Sequence, residues 1–259
     1  ALRGEAQAAL ATRTWRLGQA ASVNFSGSLT GRAYSTGEQQ LSLQSRAGLN
    51  VQLARPLSFN MQYNFRDVWG GTPFRFDRVS PSETVTARLN WRSGAMTASV
   101  STSYNILTER WGRVTANATV RATPKLTLRA SGSYDVYQQS LQRLVGTVDW
   151  RPADDWVIRV GGQYDVPQQS WRRVDADIQA ALGGGWKAGV TAIYDVTKMS
   201  FSRNHMYIAH DEECREIRLR WDHARGEVWL EYHITAFPSS RVAVGAGEDN
   251  KLLFDADVL

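Results

Sequence analysis

Residues able to do chemistry are few in this chain and crowd toward one end. All four histidines, His205, His210, His223 and His233, fall in the last quarter. His205 and His210 differ by five positions, so on a regular strand they face opposite sides and cannot share a metal. His223 stands in the turn-like run His223-Ala224-Arg225-Gly226, where a solvated imidazole is expected. His233 alternates with Tyr232 and Ile234 and therefore shares a face with Glu231 and Thr235. A Glu–His pair is what general acid–base chemistry needs. No serine in a nucleophile motif, phosphate loop or dinucleotide fingerprint accompanies it. These residues predict no enzyme, no cofactor and no metal site. Cys214 is the single cysteine, which excludes an internal disulfide framework and every cysteine-based zinc pattern.

Thirty basic residues stand against 25 acidic ones, a formal charge of +5, and only Lys125, Lys187, Lys198 and Lys251 are lysines. The arginines are scattered rather than gathered in a stripe, so a nucleic-acid face is not expected. With ten Trp, nine Tyr and eight Phe the chain is too aromatic for disorder. No run reaches the ~18 apolar residues of a transmembrane helix. The first residues lack a charged-then-apolar leader, as in a mature or truncated chain.

The elements that carry these residues are strands. From Leu41 to Leu53 the odd positions read Leu41, Leu43, Ser45, Ala47, Leu49, Val51 and Leu53, with Ser42, Gln44, Arg46, Gly48, Asn50 and Gln52 between them. A period of two makes one apolar and one polar face. The pattern recurs at Leu57, Phe59, Met61, Tyr63, Phe65 and at Val85, Ala87, Leu89, Trp91. Helical spacing is nearly absent. A repeat overlies the alternation: Tyr104-Asn105-Ile106, Tyr134-Asp135-Val136, Tyr164-Asp165-Val166 and Tyr194-Asp195-Val196 lie thirty residues apart. Each period holds two strands of about a dozen residues and two tight turns.

Strand length selects the architecture. Soluble strands run to about 5–6 residues, tilted membrane-spanning strands to about 9–11. The turns are too short for crossovers between two sheets. The expectation is an all-β, transmembrane, antiparallel up-and-down β-barrel of about 14–16 strands in an outer membrane, apolar outside and polar within. Tyr104, Tyr134, Tyr164 and Tyr194 mark one end of their strands, and Trp91, Trp150, Trp156 and Trp186 the other, as two aromatic girdles would. Arg46, Arg66, Arg88, Arg121, Arg129 and Arg159 then line the lumen, fitted either to phosphate-bearing cargo or to an anion-preferring constriction. Asp135, Asp165 and Asp195 fall at the lumen mouth, where they either ring the entrance or solvate strand ends.

Arg55-Pro56, Arg92-Ser93-Gly94, Thr123-Pro124, Arg151-Pro152-Ala153-Asp154 and Gly183-Gly184-Gly185 are short turns of the periplasmic kind. The longest loop, 68–82, is placed outside. About fifteen strands are counted from Glu5 to Phe237, an odd number, whereas single-chain bacterial barrels have an even one. Either the count is off by one or a strand precedes Ala1. Residues 1–238 are expected to be barrel strands and 239–259 a periplasmic tail.

The segment from Asp211-Glu212-Glu213-Cys214 to Trp221-Asp222, its tight turn, and the strand from Glu227 to Phe237-Pro238 resemble the C-terminal end of the lipopolysaccharide-assembly protein LptD, the organic solvent tolerance family. That resemblance covers about fifty residues, beyond which only the general barrel pattern agrees. It implies that Cys214 sits at a periplasmic turn opening the penultimate strand, that a partner cysteine lies elsewhere, and that Leu252-Leu253-Phe254 belongs to the tail. It further implies lipopolysaccharide or another glycolipid as cargo, a lumenal lipoprotein plug, periplasmic bridge proteins and surrounding membrane lipid. Many members have adjacent cysteines here, where this chain has Cys214-Arg215, and a barrel of about twice the length. On the residues alone, a porin-like diffusion channel and a structural, envelope-anchoring barrel remain the alternatives.

Overall fold

Strict alternation is a local instruction for extended backbone, and it is obeyed along almost the whole chain. The computed structural model describes residues 3–236, 241–247 and 252–257. Among these are nineteen strands of one antiparallel, up-and-down sheet and no α-helix. The expected all-β meander is therefore the fold. Two units divide it, Ala1–Ala118 with Ser133–Leu141, and Thr119–Gly132 with Gln142–Leu259.

The first unit holds β1 (Arg3–Ala11), β2 (Trp15–Leu17), β3 (Ala21–Tyr34), β4 (Gln39–Ala54), β5 (Leu57–Gly70), β6 (Ser82–Arg92), β7 (Met96–Asn105) and β8 (Arg110–Trp111). β9 (Val114–Thr123), β10 (Leu126–Asp135) and β11 (Ser140–Trp150) give residues to both units. The second adds β12 (Trp156–Asp165), β13 (Ser170–Gly183), β14 (Trp186–Asp195), β15 (Ser200–Glu212), β16 (Arg215–Asp222), β17 (Glu227–Ile234), β18 (Arg241–Ala246) and β19 (Leu252–Asp257).

β1 and β2 both pair with β3, so they are one strand interrupted at Thr12, whose hydroxyl accepts from the Phe25 amide at 3.0 Å in place of a ladder carbonyl. β8 and β9 likewise both pair with β7. With each broken strand taken as one, fifteen run up to Ile234, the number expected. The last residues depart from expectation. The boundary placed at 238–239 lies outside the described residues, but what was to be a tail contains β18, paired with β17, and β19, paired with β18. Neither β16 nor β17 is thus the penultimate or final strand, the positions that the C-terminal resemblance assigned them. At six residues each, both later strands are too short to have registered as spanning strands.

The register sorts side chains cleanly. On β3–β4, Val23 faces Leu49 and Leu29 faces Leu43 on one side, while Ser26 faces Arg46 and Thr30 faces Ser42 on the other. On β14–β15, Ala188 faces Ile208 and Val190 faces Met206, with Lys187 against Ala209 and Thr191 against His205 behind them. Which side is covered inverts the rule for water. Gln40 and Ser42 are 4% and 3% exposed and Glu231 is 3%, yet Leu53 is 58% and Leu230 is 54%. Soluble sheets bury leucine and expose glutamine.

The thirty-residue repeat has a structural cause. Each copy is a hairpin end in which an Asn or Asp side chain caps its own turn. The Oδ1 of Asn105, Asp135, Asp165 and Asp195 accepts from the amide three residues on, at Thr108, Gln138, Gln168 and Lys198. The residue after that, Glu109, Gln139, Gln169 or Met199, takes a left-handed φ of 48–52° before the chain returns. The Tyr before the cap meets an aromatic ring of the returning strand in three copies: Tyr104 with Trp111, Tyr164 with Trp171 and Tyr194 with Phe201, at 4.9–5.5 Å. The expected mouth carboxylates Asp135, Asp165 and Asp195 are thus turn caps, each also within 4.0 Å of a cation: Arg113, Arg172 and Lys198 respectively.

Candidate functional site

Function on such a sheet resides on its polar face. In the first unit that face, across β4, β5 and β6, is built from amides and hydroxyls. The Asn60 amide donates to Asn50, and the Asn90 amide donates to Asn60 Oδ1 at 2.7 Å, so an asparagine row crosses three strands. Gln62 Nε2 and Arg46 Nε both donate to Asn64 Oδ1, at 2.7 and 3.0 Å. Arg46, Arg66 and Arg88 stand in this neutral field. The acidic residues of these strands, Asp67 and Glu83, face the other way: Asp67 pairs with Leu43, and Glu83 pairs with Phe65 and accepts from the Tyr63 hydroxyl at 2.7 Å. None of the three arginines forms an ion pair with a described residue.

A cavity of about 460 Å³ opens over Arg46 and Arg66, with Ser26, Ser28, Gln44 and Ser82 in its lining. The register explains the grouping: Ser26 faces Arg46, which faces Asn64, and Ser28 faces Gln44, which faces Arg66, which faces Ser82. Within it the Arg66 Nε is buried without a hydrogen-bond partner. Nearer the strand ends, the long loop bends onto the polar face. Asp77, in the 3-10 turn Arg75–Asp77, is 6% exposed, receives Arg3 at 2.6 Å and the Tyr34 hydroxyl at 3.3 Å, and Phe74 packs edge-on against Tyr34.

The polar face of the second unit is ionic instead. Lys187 on β14 reaches Asp211 on β15 at 2.6 Å and Glu216 on β16 at 3.7 Å. Glu216 also holds Arg218 at 2.7 Å. Glu231 on β17 accepts from Arg220 Nε at 2.7 Å, and the same guanidinium lies 3.5 Å from Asp222. Arg218 stacks over the Tyr207 ring at 4.6 Å and Arg220 over the Trp229 indole at 5.7 Å. Two glycines admit these rings: a Cβ on Gly189 would strike Tyr207, and one on Gly245 would come within 2.6 Å of Trp229. Two further expected lumen arginines, Arg129 and Arg159, converge on Asp149, Arg159 at 2.6 Å. Arg121, on β9, is exposed and forms no ion pair with a described residue.

The six arginines therefore divide: three free of carboxylates in the first unit, two sharing one aspartate, and one solvated. His205 and His210 lie on opposite faces as their spacing demands, His205 against Thr191 and His210 against Trp186, ring to ring at 4.7 Å. His233 does share a face with Glu231, but its Nε2 is 3.9 Å from a carboxylate already holding Arg220, so the pair is not set for proton transfer. No group of three potential metal ligands occurs among the described residues. Trp91, Trp150, Trp156 and Trp186 are all exposed on the apolar face, as is Tyr134; Tyr104, Tyr164 and Tyr194 are half-buried by their partner rings. Cys214 is exposed in the β15–β16 turn, beside the Gly184-Gly185 turn.

Sequence reasoning did not pick out the ionic network. Its signal was present in β16, where Glu216, Arg218, Arg220 and Asp222 alternate with Ile217, Leu219 and Trp221, a charge at every polar-face position.

No family model and no curated protein matches the chain. Among solved structures it is similar to a triple-substituted variant of the Rh. blastica porin, at TM-score 0.48 and 11% identity over 91% of this chain and 98% of that one. A second triple mutant of that Rhodopseudomonas blastica porin scores 0.48 at 10% identity over the same shares. A structure described as asymmetric conductivity of engineered proteins scores 0.47 at 10% identity, over 84% of this chain and 89% of that one. No family membership follows from these likenesses, and the chain's own geometry carries the reading below.

Proposed function

We propose that this chain forms an outer-membrane β-barrel that passes small polar solutes by diffusion, with no catalytic step. One observation carries the reading: covered glutamine, serine and glutamate on one face of the meander, bare leucine, valine and tryptophan on the other. In water such a sheet would leave unfulfilled about 1.5–3 kcal/mol for each large apolar side chain. In lipid the same face is solvated by acyl chains, while an aqueous lumen serves the polar face. The Trp and Tyr girdles at opposite strand ends support a span between two interfaces. The test is to refold the protein into planar bilayers and record current. Discrete, ohmic conductance steps support a channel; a folded, membrane-inserted protein with no conductance overturns it and leaves an anchoring barrel.

A second reading, a component of a glycolipid-insertion machine with a lumenal plug, is favoured by the exposure of Cys214 at the short-turn end, where a partner thiol outside these residues could reach it. In native outer membranes Cys214 should then resist a thiol reagent until it is reduced. Full labelling without reductant removes this reading.

A further inference from the structure

The two expectations for the lumen arginines, cargo contact or general constriction, are separated by what surrounds each one. We propose that Arg46 and Arg66, with Ser26, Ser28, Gln44 and Ser82, form a discrete binding site for a tetrahedral oxyanion, phosphate in the first instance. The inference deepens the channel reading by naming the solute class, and its test does not depend on conduction.

Three observations converge. First, the two arginines are diagonal neighbours across β4 and β5, since Arg46 faces Asn64 and Arg66 faces Gln44. Diagonal positions are about 7–8 Å apart at the backbone, a span over which two guanidinium groups can converge on one oxyanion. Second, most of their donors are uncommitted. Arg46 spends its Nε on Asn64 Oδ1, Arg66 Nε is buried with no partner, and neither makes an ion pair with a described residue. A buried guanidinium donor left unmatched costs free energy that an incoming acceptor recovers. Third, the cavity above them contains hydroxyls and the amides of Gln44 and Asn64 but no carboxylate, so no charged group there competes for the guanidinium groups. Arg129 and Arg159 are the internal contrast, because Asp149 already occupies both. Chloride offers the two arginines one atom where a tetrahedral oxyanion offers each a separate oxygen, so the site is expected to favour the oxyanion over a simple halide.

The experiment is calorimetric titration of the detergent-folded protein with sodium phosphate at constant ionic strength, with chloride as the comparison. Saturable binding of one phosphate per chain is expected, weakened at least tenfold in Arg46→Gln and in Arg66→Gln. Arg151→Gln, the same charge loss at a turn, should bind as the parent does. Should either arginine variant fail to fold, Ser28→Ala removes only a rim hydroxyl and is expected to weaken binding about threefold. Absence of saturable phosphate binding in the parent overturns the site. So does equal weakening by Arg151→Gln, which would mean charge alone. If phosphate binds as stated but bilayers show no conductance, the channel reading fails and the site stands.

Discussion

On β4–β6 the polar face is a lattice of neutral groups holding three arginines without ion pairs, whereas on β14–β17 it is an ion-pair network in which Lys187, Arg218 and Arg220 each have a carboxylate within 4 Å. Both coat one side of the same kind of sheet, but they do different physical work. On β14–β17 opposite charges cancel locally, so this stretch projects little field and gains cross-strand ties. In the first the amides tie strands weakly and leave the arginine charge uncompensated, which draws in anions. One stretch is organised for cohesion, and the other leaves its arginine charge uncompensated.

The largest effect that would sharpen this contrast is expected from Glu231→Ala. It leaves Arg220, in a covered position, with the longer contact to Asp222 alone, and breaking a buried pair from one side costs up to about 3–5 kcal/mol. The check is the urea midpoint of the lipid-folded protein; a loss under 1 kcal/mol would show the network to be ornamental. Next comes Leu49→Arg on the apolar face of β4, expected to cost about 2–4 kcal/mol in a bilayer if this face meets lipid. A neutral result in vesicles would overturn the assignment of faces. Asn60→Ala, in the middle of the asparagine row, should cost only about 1 kcal/mol, the value of a neutral hydrogen bond. If it matched Glu231→Ala, the two faces would not differ in kind. The smallest effect expected is from Asp165→Ala, about 0.5 kcal/mol, because the capped turn is solvated and its cation partner is exposed. In current recordings, Arg46→Gln with Arg66→Gln should move the reversal potential in a salt gradient away from anion preference, while Arg129→Gln, which removes one charge beside Asp149, should move it less.

What the residues disclosed and what they withheld follow the range of the interactions. Alternation from Leu41 to Leu53 is a property of neighbours, so strand, facing and turn were readable, as was the thirty-residue hairpin with its Tyr-Asp-Val step. Ion pairing depends on cross-strand register. That Arg220 meets Glu231, eleven residues away, is settled by how β16 aligns with β17. The same limit hid the difference among the arginines, since Arg46 and Arg159 look equivalent until Asp149 is seen beside one of them. Asp77 was concealed because its loop has no period; only the fold brings it to Tyr34 and Arg3. β18 and β19 went unread because six residues carry too few alternations to stand out.

The capped hairpin turn has a further consequence. Residues 136–165 begin after one capping aspartate and end on the next, so the segment leaves and returns at the same end of the sheet and on the same face. It behaves as an interchangeable tile. Excising it would join Asp135 to Val166 in the surroundings each already has, two strands fewer, with the remaining ladders in phase. Duplicating it would widen the sheet by two strands. A gene that slips by ninety bases within this region can thus resize the molecule in one event while the strands that remain keep their turns and facing.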